Sequence, residues 1–374
     1  MQIIMLLMVI VIAVFFSIQL LSLVTIFKSN QFEFPTDYAY PKVSLLLAAR
    51  NEALLIERCL AAIDQLDYPK DKLEILIGDD DSSDDTAALV QAFIKDKPQY
   101  RLISITTQVG KAKGKANVLG QLAHHASGEY YFITDVDVKL PTKWIKALLT
   151  KFTGNVGIVS GTTTCEPNAS FFSVLQSIDW LHFMGYIQSF ANIDVACTSV
   201  GNNMAVSAKA YWETGGYENI DFSITEDYKL FKEVTALGWG WETMLNPSSL
   251  GLAWYIPSVT EMWHQRKRWL IGAQELPLLW KSLIVLYGLF VPSLIGLAFM
   301  APKHALSIWI SKLFIQTMYI MILRSKVGLK PYGILNLIAY EFYVIVNTIC
   351  TAIFYFLPIP SVWKGRTYHK SDLS

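Results

Sequence analysis

The sequence predicts an α/β domain carried between membrane-spanning helices. Three observations predict it. Long, nearly charge-free apolar runs occupy both ends of the chain, short apolar strands alternate with amphipathic helices through the middle, and clusters of acid follow two of those strands. Of the 374 residues, 53% are hydrophobic and 17% charged, against roughly 25% charged in a soluble domain. Lys plus Arg and Asp plus Glu both number 31, for a net charge of +0. That balance excludes a chain that grips nucleic acid by bulk charge, and the apolar content excludes a disordered one. The four cysteines, Cys59, Cys165, Cys197 and Cys350, form no C-x-x-C pair, which argues against a zinc site or a disulfide framework.

The first element, residues 1–27, carries no charge from Ile3 to Phe27. About 20 apolar residues suffice to cross a bilayer. No Lys or Arg precedes Lys28, and the run is too long for the apolar core of a secretory signal, so it reads as an uncleaved anchor.

Residues 40–275 read as a soluble α/β domain. Val43 to Ala48 (VSLLLA) is a near-continuous apolar run of the kind a buried parallel strand needs. Leu54, Leu55, Cys59, Leu60 and Ile63 follow at helical spacing. Leu73 to Ile77 and Arg101 to Ile105 read as further strands, with a helix over Ala87 to Phe93 between them. Ala116 to His125 reads as a helix and Tyr130 to Ile133 as a fourth strand. This alternation implies a mostly parallel sheet with helices on both faces, whose ligands sit at the carboxyl ends of the strands. Neither G-x-G-x-x-G nor a P-loop occurs, which disfavours a dehydrogenase or a P-loop enzyme.

Residues 278–357 hold three more long apolar runs, Leu283 to Met300, Ala305 to Leu323 and Ile334 to Leu357, blemished by Pro292, Lys312 and Glu341. Pro277, Trp280 and Lys281 give this region an interface-like start. Residues 358–374 are a basic tail containing Lys364, Arg366 and Lys370. Lys28, Lys267, Arg268 and Lys281 flank the spans on the side of the middle domain, and Arg324, Lys326 and Lys330 fall after the third span. By the positive-inside rule the middle domain is cytoplasmic. Three full C-terminal spans put the tail on the opposite side, so either one run is re-entrant or the tail departs from the rule.

Five constellations carry chemistry. Asp79-Asp80-Asp81-Ser82-Ser83-Asp84-Asp85-Thr86 places five carboxylates in eight residues. Helix capping accounts for Ser83 or Asp84 but not for Asp79 and Asp80, which directly follow a strand and can accept from the N–H of a flat heterocycle. Asp135-Val136-Asp137 follows the strand YYFIT. Two acids at i and i+2 on an extended segment point the same way and can hold Mg2+ or Mn2+ with a diphosphate. The Gly/Lys loop from Gln108 to Asn117 is a basic surface loop or a phosphate-facing helix start. Thr225-Glu226-Asp227 is a helix cap or holds a general base. Gln265-Arg266-Lys267-Arg268-Trp269 serves a diphosphate and a sugar face, or anchors the chain at the membrane surface.

Taken in order, AARNE (Ala48 to Glu52), GDDDSSDDT, GKANVL, DVD, GNNMAVS (Gly201 to Ser207), TED and QRKRW resemble the motif series of membrane-anchored family-2 glycosyltransferases. That group includes cellulose, hyaluronan and poly-N-acetylglucosamine synthases and ceramide glucosyltransferase. The resemblance covers about residues 42 to 270. It implies a GT-A nucleotide-diphospho-sugar transferase domain, an integral membrane location at the inner or plasma membrane, and inverting, metal-dependent transfer from a UDP-sugar to a lipid-linked or polysaccharide acceptor. It implies that Asp80, with Asp79, reads uracil, that Ala48 and Glu52 flank the nucleoside, and that Lys115 lies near the diphosphate. Asp135 and Asp137 match the D-x-D acids, Asp137 as the direct ligand of Mg2+ or Mn2+. Asp227 matches the general base, and Gln265, Arg268 and Trp269 match Q-x-x-R-W at the diphosphate and acceptor. The sequence departs from the pattern at Ala49, in a region where proline is frequent, and at Asp81, where glycine is usual. The aromatic stretch Phe171 to Phe190 matches a region near the acceptor entrance, and a core or interfacial helix accounts for it as well. The alternative reading is a non-catalytic membrane protein with a degenerate nucleotide-binding domain.

Overall fold

The computed structural model describes residues 2–28, 39–167, 170–363 and 366–368. Two compact units alternate along the chain. Helix α1 (Gln2–Thr25) belongs to a helical unit. An α/β unit then runs through β1 (Val43–Ala49), α2 (Ile56–Asp64), β2 (Leu73–Asp79), α3 (Thr86–Ile94), β3 (Tyr100–Ser104), α4 (Gly114–His125), β4 (Tyr130–Asp135), β5 (Val138–Lys139), α5 (Trp144–Leu149), β6 (Val156–Ser160) and β7 (Thr162–Cys165). Helix α6 (Phe171–Ala191) is again in the helical unit. The α/β unit resumes with β8 (Asn203–Ser207), α7 (Ala208–Glu213), α8 (Glu226–Ala236), β9 (Gly240–Thr243) and β10 (Leu250–Ala253). The helical unit closes with α9 (Val259–Gly272), α10 (Leu278–Met300), α11 (Pro302–Lys326) and α12 (Ile334–Phe356). Helices α6 and α9, which lie within the stretch 40–275, thus group with the long apolar helices. In the tail, residues 361–363 pair with residues 366–368. Lys364 and Lys370 lie outside the described residues.

Among the described residues the main sheet has seven strands in the order β3-β2-β1-β4-β8-β6-β9. All pairs are parallel except those of β8, which runs antiparallel to β4 and β6. The apolar run of β1 follows from its central position. Val43, Leu45, Leu47 and Ala49 pack with Ile56, Cys59, Leu60 and Ile63 of α2 and with Ile75 and Ile77 of β2. Each fully buried aliphatic side chain of this kind contributes about 1.5–3 kcal/mol. Helix α4 packs across β1 and β2, so close that a Cβ at Gly78 would sit 2.4 Å from Val118. One expected core residue is elsewhere: Leu54 is 97% exposed, because α2 begins only at Ile56 and Leu54 lies in the preceding turn. A smaller sheet, β5-β10-β7, carries the strand that follows the D-x-D acids.

In the helical unit, α1, α10, α11 and α12 are long and apolar enough to cross a membrane. Phe15 of α1 stacks on Phe290 of α10 with ring centroids 4.0 Å apart. The two charges that interrupt the apolar runs meet each other: Lys312 of α11 donates to the Glu341 carboxylate of α12, which also accepts from Trp309 at 3.1 Å and Gln316 at 3.1 Å. Pairing of this kind is what makes ionised groups tolerable in an apolar helix bundle.

Candidate active site

The register of β1 assembles the strand-end acids. Ala48 lies beside Asp135 of β4, and Ala49 lies beside Asp79 of β2. Asp79 and Asp80 are 8% and 6% exposed. The Asp80 N–H donates to the Ala49 carbonyl at 2.9 Å, and Arg50 donates to the Asp80 carbonyl. Asp79 Oδ2 accepts weakly from the Ser82 N–H at 3.4 Å, while its Oδ1 is buried with no hydrogen-bond partner. Asp81 has φ +55° and is exposed, a left-handed position that suits glycine and that Asp tolerates better than most residues. The Glu52 N–H donates to Thr86 Oγ1 at 2.8 Å, tying the loop after β1 to the start of α3. The acid that serves this start is Asp84, whose carboxylate accepts from the N–H groups of Thr86 and Ala53 at 3.0 and 3.1 Å. The cap position itself is Asp85, whose side chain makes no capping bond.

Three lysines of the Gly/Lys loop diverge. Lys111 is exposed and pairs with Asp221, and Lys113 is exposed over the Phe222 ring. Lys115, the second residue of α4, turns inward with an 11% exposed side chain. Its ammonium lies 2.6 Å from Asp135 Oδ1 and 2.9 Å from Glu226 Oε1. Burial alone would lower its pKa, but the Asp135 and Glu226 carboxylates outweigh burial and hold it protonated.

Glu226 and Asp227 open α8. Thr225 occupies the cap position without a side-chain capping bond, so capping does not account for this motif. Asp227 Oδ2 accepts from the Gly201 N–H at 2.7 Å, and Oδ1 accepts from the Tyr228 N–H at 2.8 Å. Burial first, and the Glu226 charge second, push the Asp227 carboxyl up to about 6, against the lowering pull of Lys115 and the two N–H donors. A carboxyl in that range is suited to taking a proton near neutral pH.

The D-x-D segment is not extended throughout. Asp135 ends β4, and Val136-Asp137 form a turn into β5, so strand alternation does not set the relative direction of the two acids. The donor set fits a hard cation that shares its ligands with a diphosphate. Both groups offer carboxylate oxygens, Asp135 is already paired to Lys115, and among the described residues no group of three or more His, Cys, Asp or Glu side chains is arranged to hold an ion alone. One or two carboxylates plus substrate phosphates is the usual arrangement for Mg2+.

Gln265, Arg268 and Trp269 lie half-buried on α9 of the helical unit. There Trp269 meets Trp180 of α6 edge-on with centroids 5.2 Å apart, under the Arg266 guanidinium at 4.6 Å, and Arg266 pairs with Asp179. Lys267 is not a surface anchor. It is 2% exposed and donates to the carbonyls of Phe354, Leu357 and Ile359 at the end of α12. Sequence reasoning also missed Asn203, fully buried, whose amide accepts from Trp144 and donates to the Thr162 and Ser249 carbonyls. Its place in the GNNMAVS motif was the available signal.

The family model described as Glycosyl transferase family 21 matches residues 5–371. A poly-beta-1,6-N-acetyl-D-glucosamine synthase of Staphylococcus epidermidis is 27% identical over 246 residues, covering 62% of this chain and 55% of the relative. A beta-monoglucosyldiacylglycerol synthase of Synechocystis sp. is 24% identical over 238 residues, covering 63% of this chain and 48% of the relative. The chain spans about half the length of the curated relatives it matches. Among solved structures, a mannosyltransferase from Pyrobaculum calidifontis in complex with GDP-Man and Mn2+ superposes with a TM-score of 0.56 at 18% identity, over 94% of this chain and 98% of that one. The shared fold is GT-A.

Proposed function

Because the chain belongs to glycosyl transferase family 21, and is therefore a glycosyltransferase, we propose that it transfers a sugar from a UDP-sugar, with inversion, to a lipid-linked or short glycan acceptor at the membrane. Membership of that family supports this reading over the non-catalytic alternative. The observation that carries the mechanism is Asp227, held near pKa 6 beside Glu226 and the buried Lys115. Asp227 accepts the proton of the acceptor hydroxyl as that oxygen forms its bond to the anomeric carbon from the face opposite the leaving group. The bond from that carbon to the diphosphate breaks, and the nucleoside diphosphate leaves with the electron pair. A single displacement of this kind needs one base and one leaving-group clamp and no covalent sugar–enzyme step.

Asp137, with Asp135 behind it, would hold Mg2+ or Mn2+. When bound, the ion neutralises charge that develops on the leaving diphosphate. Lys115 adds a positive charge next to Asp135 and is assigned the diphosphate. Asp79 and Asp80 are assigned the uracil, a reading supported by the unpartnered, buried Asp79 Oδ1. Ala48 and Glu52 are assigned the nucleoside flank at the end of β1. Gln265, Arg268 and Trp269 are assigned the diphosphate and acceptor on motif resemblance alone. Lys28 just after α1, Lys281 in the first turn of α10, Arg324 and Lys326 in the last turn of α11 and Lys330 just beyond it support a cytoplasmic catalytic unit. The relatives named above are a polysaccharide synthase and a glycolipid synthase, and the lipid-linked or short acceptor is the narrower reading put to the test.

The test is a donor screen on the full chain in proteoliposomes. UDP-glucose, UDP-galactose, UDP-N-acetylglucosamine and GDP-mannose are supplied with and without Mn2+. Metal-dependent turnover of one UDP-sugar, with one sugar added per acceptor, is expected. Turnover of GDP-mannose alone overturns the uridine assignment, and a ladder of long products overturns the acceptor assignment.

A further inference from the structure

We propose that Arg58, outside every motif of the catalytic unit, is the positioning residue that sets the D-x-D turn for metal and diphosphate. The inference rests on the reading of Asp137 as a metal-binding carboxylate. The Val136-Asp137 turn lies between β4 and β5, so its backbone needs donors from other elements. The Asp137 carbonyl accepts from two: the Trp254 N–H at 2.8 Å and Arg58 Nη1 at 3.0 Å. Arg58 Nη2 donates in turn to the Leu252 carbonyl of β10 at 3.2 Å, and the guanidinium carbon lies 5.4 Å from the Trp254 ring centroid. One planar fork therefore spans the D-x-D turn and the strand beside it, a geometry that a lysine ammonium cannot reproduce. The next residue, Cys59, brings its Sγ within 3.8 Å of the Asp135 carbonyl. Successive residues of α2 thus contact the carbonyls of both acids.

The brace is itself rigid. Ile56, Cys59, Leu60 and Ile63 of α2 are at most 1% exposed, as are Val136 and Val138 on either side of Asp137. The Arg58 fork and the Trp254 N–H together hold the Asp137 carbonyl and so fix the path of the turn whose backbone carries the Asp137 carboxylate. Groups that orient metal ligands in this way are worth about 10–100-fold in metal affinity or activity.

The experiment uses the full chain in detergent micelles, with Arg58→Lys and Arg58→Met beside the wild type. Mn2+ is titrated in the presence of UDP, and the thermal-unfolding shift and the electron paramagnetic resonance signal of bound Mn2+ are followed. Arg58→Lys is expected to raise the Mn2+ midpoint at least about tenfold, with an unfolding temperature near wild type when metal and UDP are absent. Its turnover is expected to recover as Mn2+ is raised. An Arg58→Lys protein with a wild-type Mn2+ midpoint overturns the proposal. So does an activity loss that added Mn2+ does not restore and that tracks a lowered unfolding temperature, since that marks a purely structural brace. If Arg58→Met does not fold, Arg58→Lys decides the question. A wild-type protein with no Mn2+-dependent shift removes the parent reading of Asp137, whereas a wild-type shift that Arg58→Lys leaves unchanged removes this inference alone.

Discussion

At the scale of single residues, Asp227 is the most exacting feature. Its carboxyl sits near 6 in the folded chain against an ordinary value of 3.8. Between those values the folded state binds more protons than the unfolded one, so this group's contribution to stability falls as pH rises from about 4 to 6. In the proposed mechanism catalysis runs the other way, because a general base works ionised. kcat/KM is expected to rise with pH up to about 6 and then level off, and Asp227→Asn is expected to remove that rise and lower kcat roughly 10²–10⁴-fold. Lys115 pulls the Asp227 value down, so Lys115→Met is expected to move the acidic limb to higher pH. Gly201 offers an independent probe. A Cβ there would lie 2.8 Å from the Asp227 Cβ and 3.0 Å from Oδ2. Gly201→Ala is expected to displace the base and cost about 10–100-fold in kcat, while circular dichroism of the purified variant stays that of the wild type.

At the scale of elements, the strands were legible because a central parallel strand must be apolar on both faces, and VSLLLA can be little else. The acids at the ends of β2 and β4 were legible for the same reason, since nothing in a buried strand requires them. Side-chain partners across the fold were not legible. A lysine in a basic run looks like a surface anchor, yet Lys267 is buried and binds three carbonyls that α12 and its following turn leave open. Cations at helix C-termini complement both the open carbonyls and the helix dipole. Lys267→Met is expected to destabilise the helical unit by about 1–3 kcal/mol through unsatisfied carbonyls, read as a lower unfolding temperature in detergent. Lys281→Met, at an exposed lysine in the first turn of α10, is expected to leave that temperature within error.

At the scale of the whole molecule, the helical unit combines apolar faces with a buried ion pair. Lys312 and Glu341 are 4% and 1% exposed. Removing one partner leaves an uncompensated buried charge, so Lys312→Met is expected to cost roughly 3–5 kcal/mol, and the double variant with Glu341→Leu to recover most of it. Thermal unfolding in lipid nanodiscs distinguishes the two. With four helices among the described residues able to cross a bilayer, the chain is expected to stay with the membrane fraction after alkaline carbonate washing, and release into the supernatant is the outcome against it.

The sequence by itself determined the apolar ends, the α/β middle, the acids at two strand ends and the family likeness, because periodicity, run length and motif order are local properties of a chain. Tertiary structure alone decided which residues meet. It took Leu54 out of the core, bent Val136-Asp137 into a turn, joined Lys312 to Glu341 and set Lys115 between Asp135 and Glu226. It also brought Arg58 onto a carbonyl 79 residues further along the chain. Charge pairing and hydrogen bonding act over a few ångströms in space, and only the folded path of the backbone brings residues this far apart in sequence within that range.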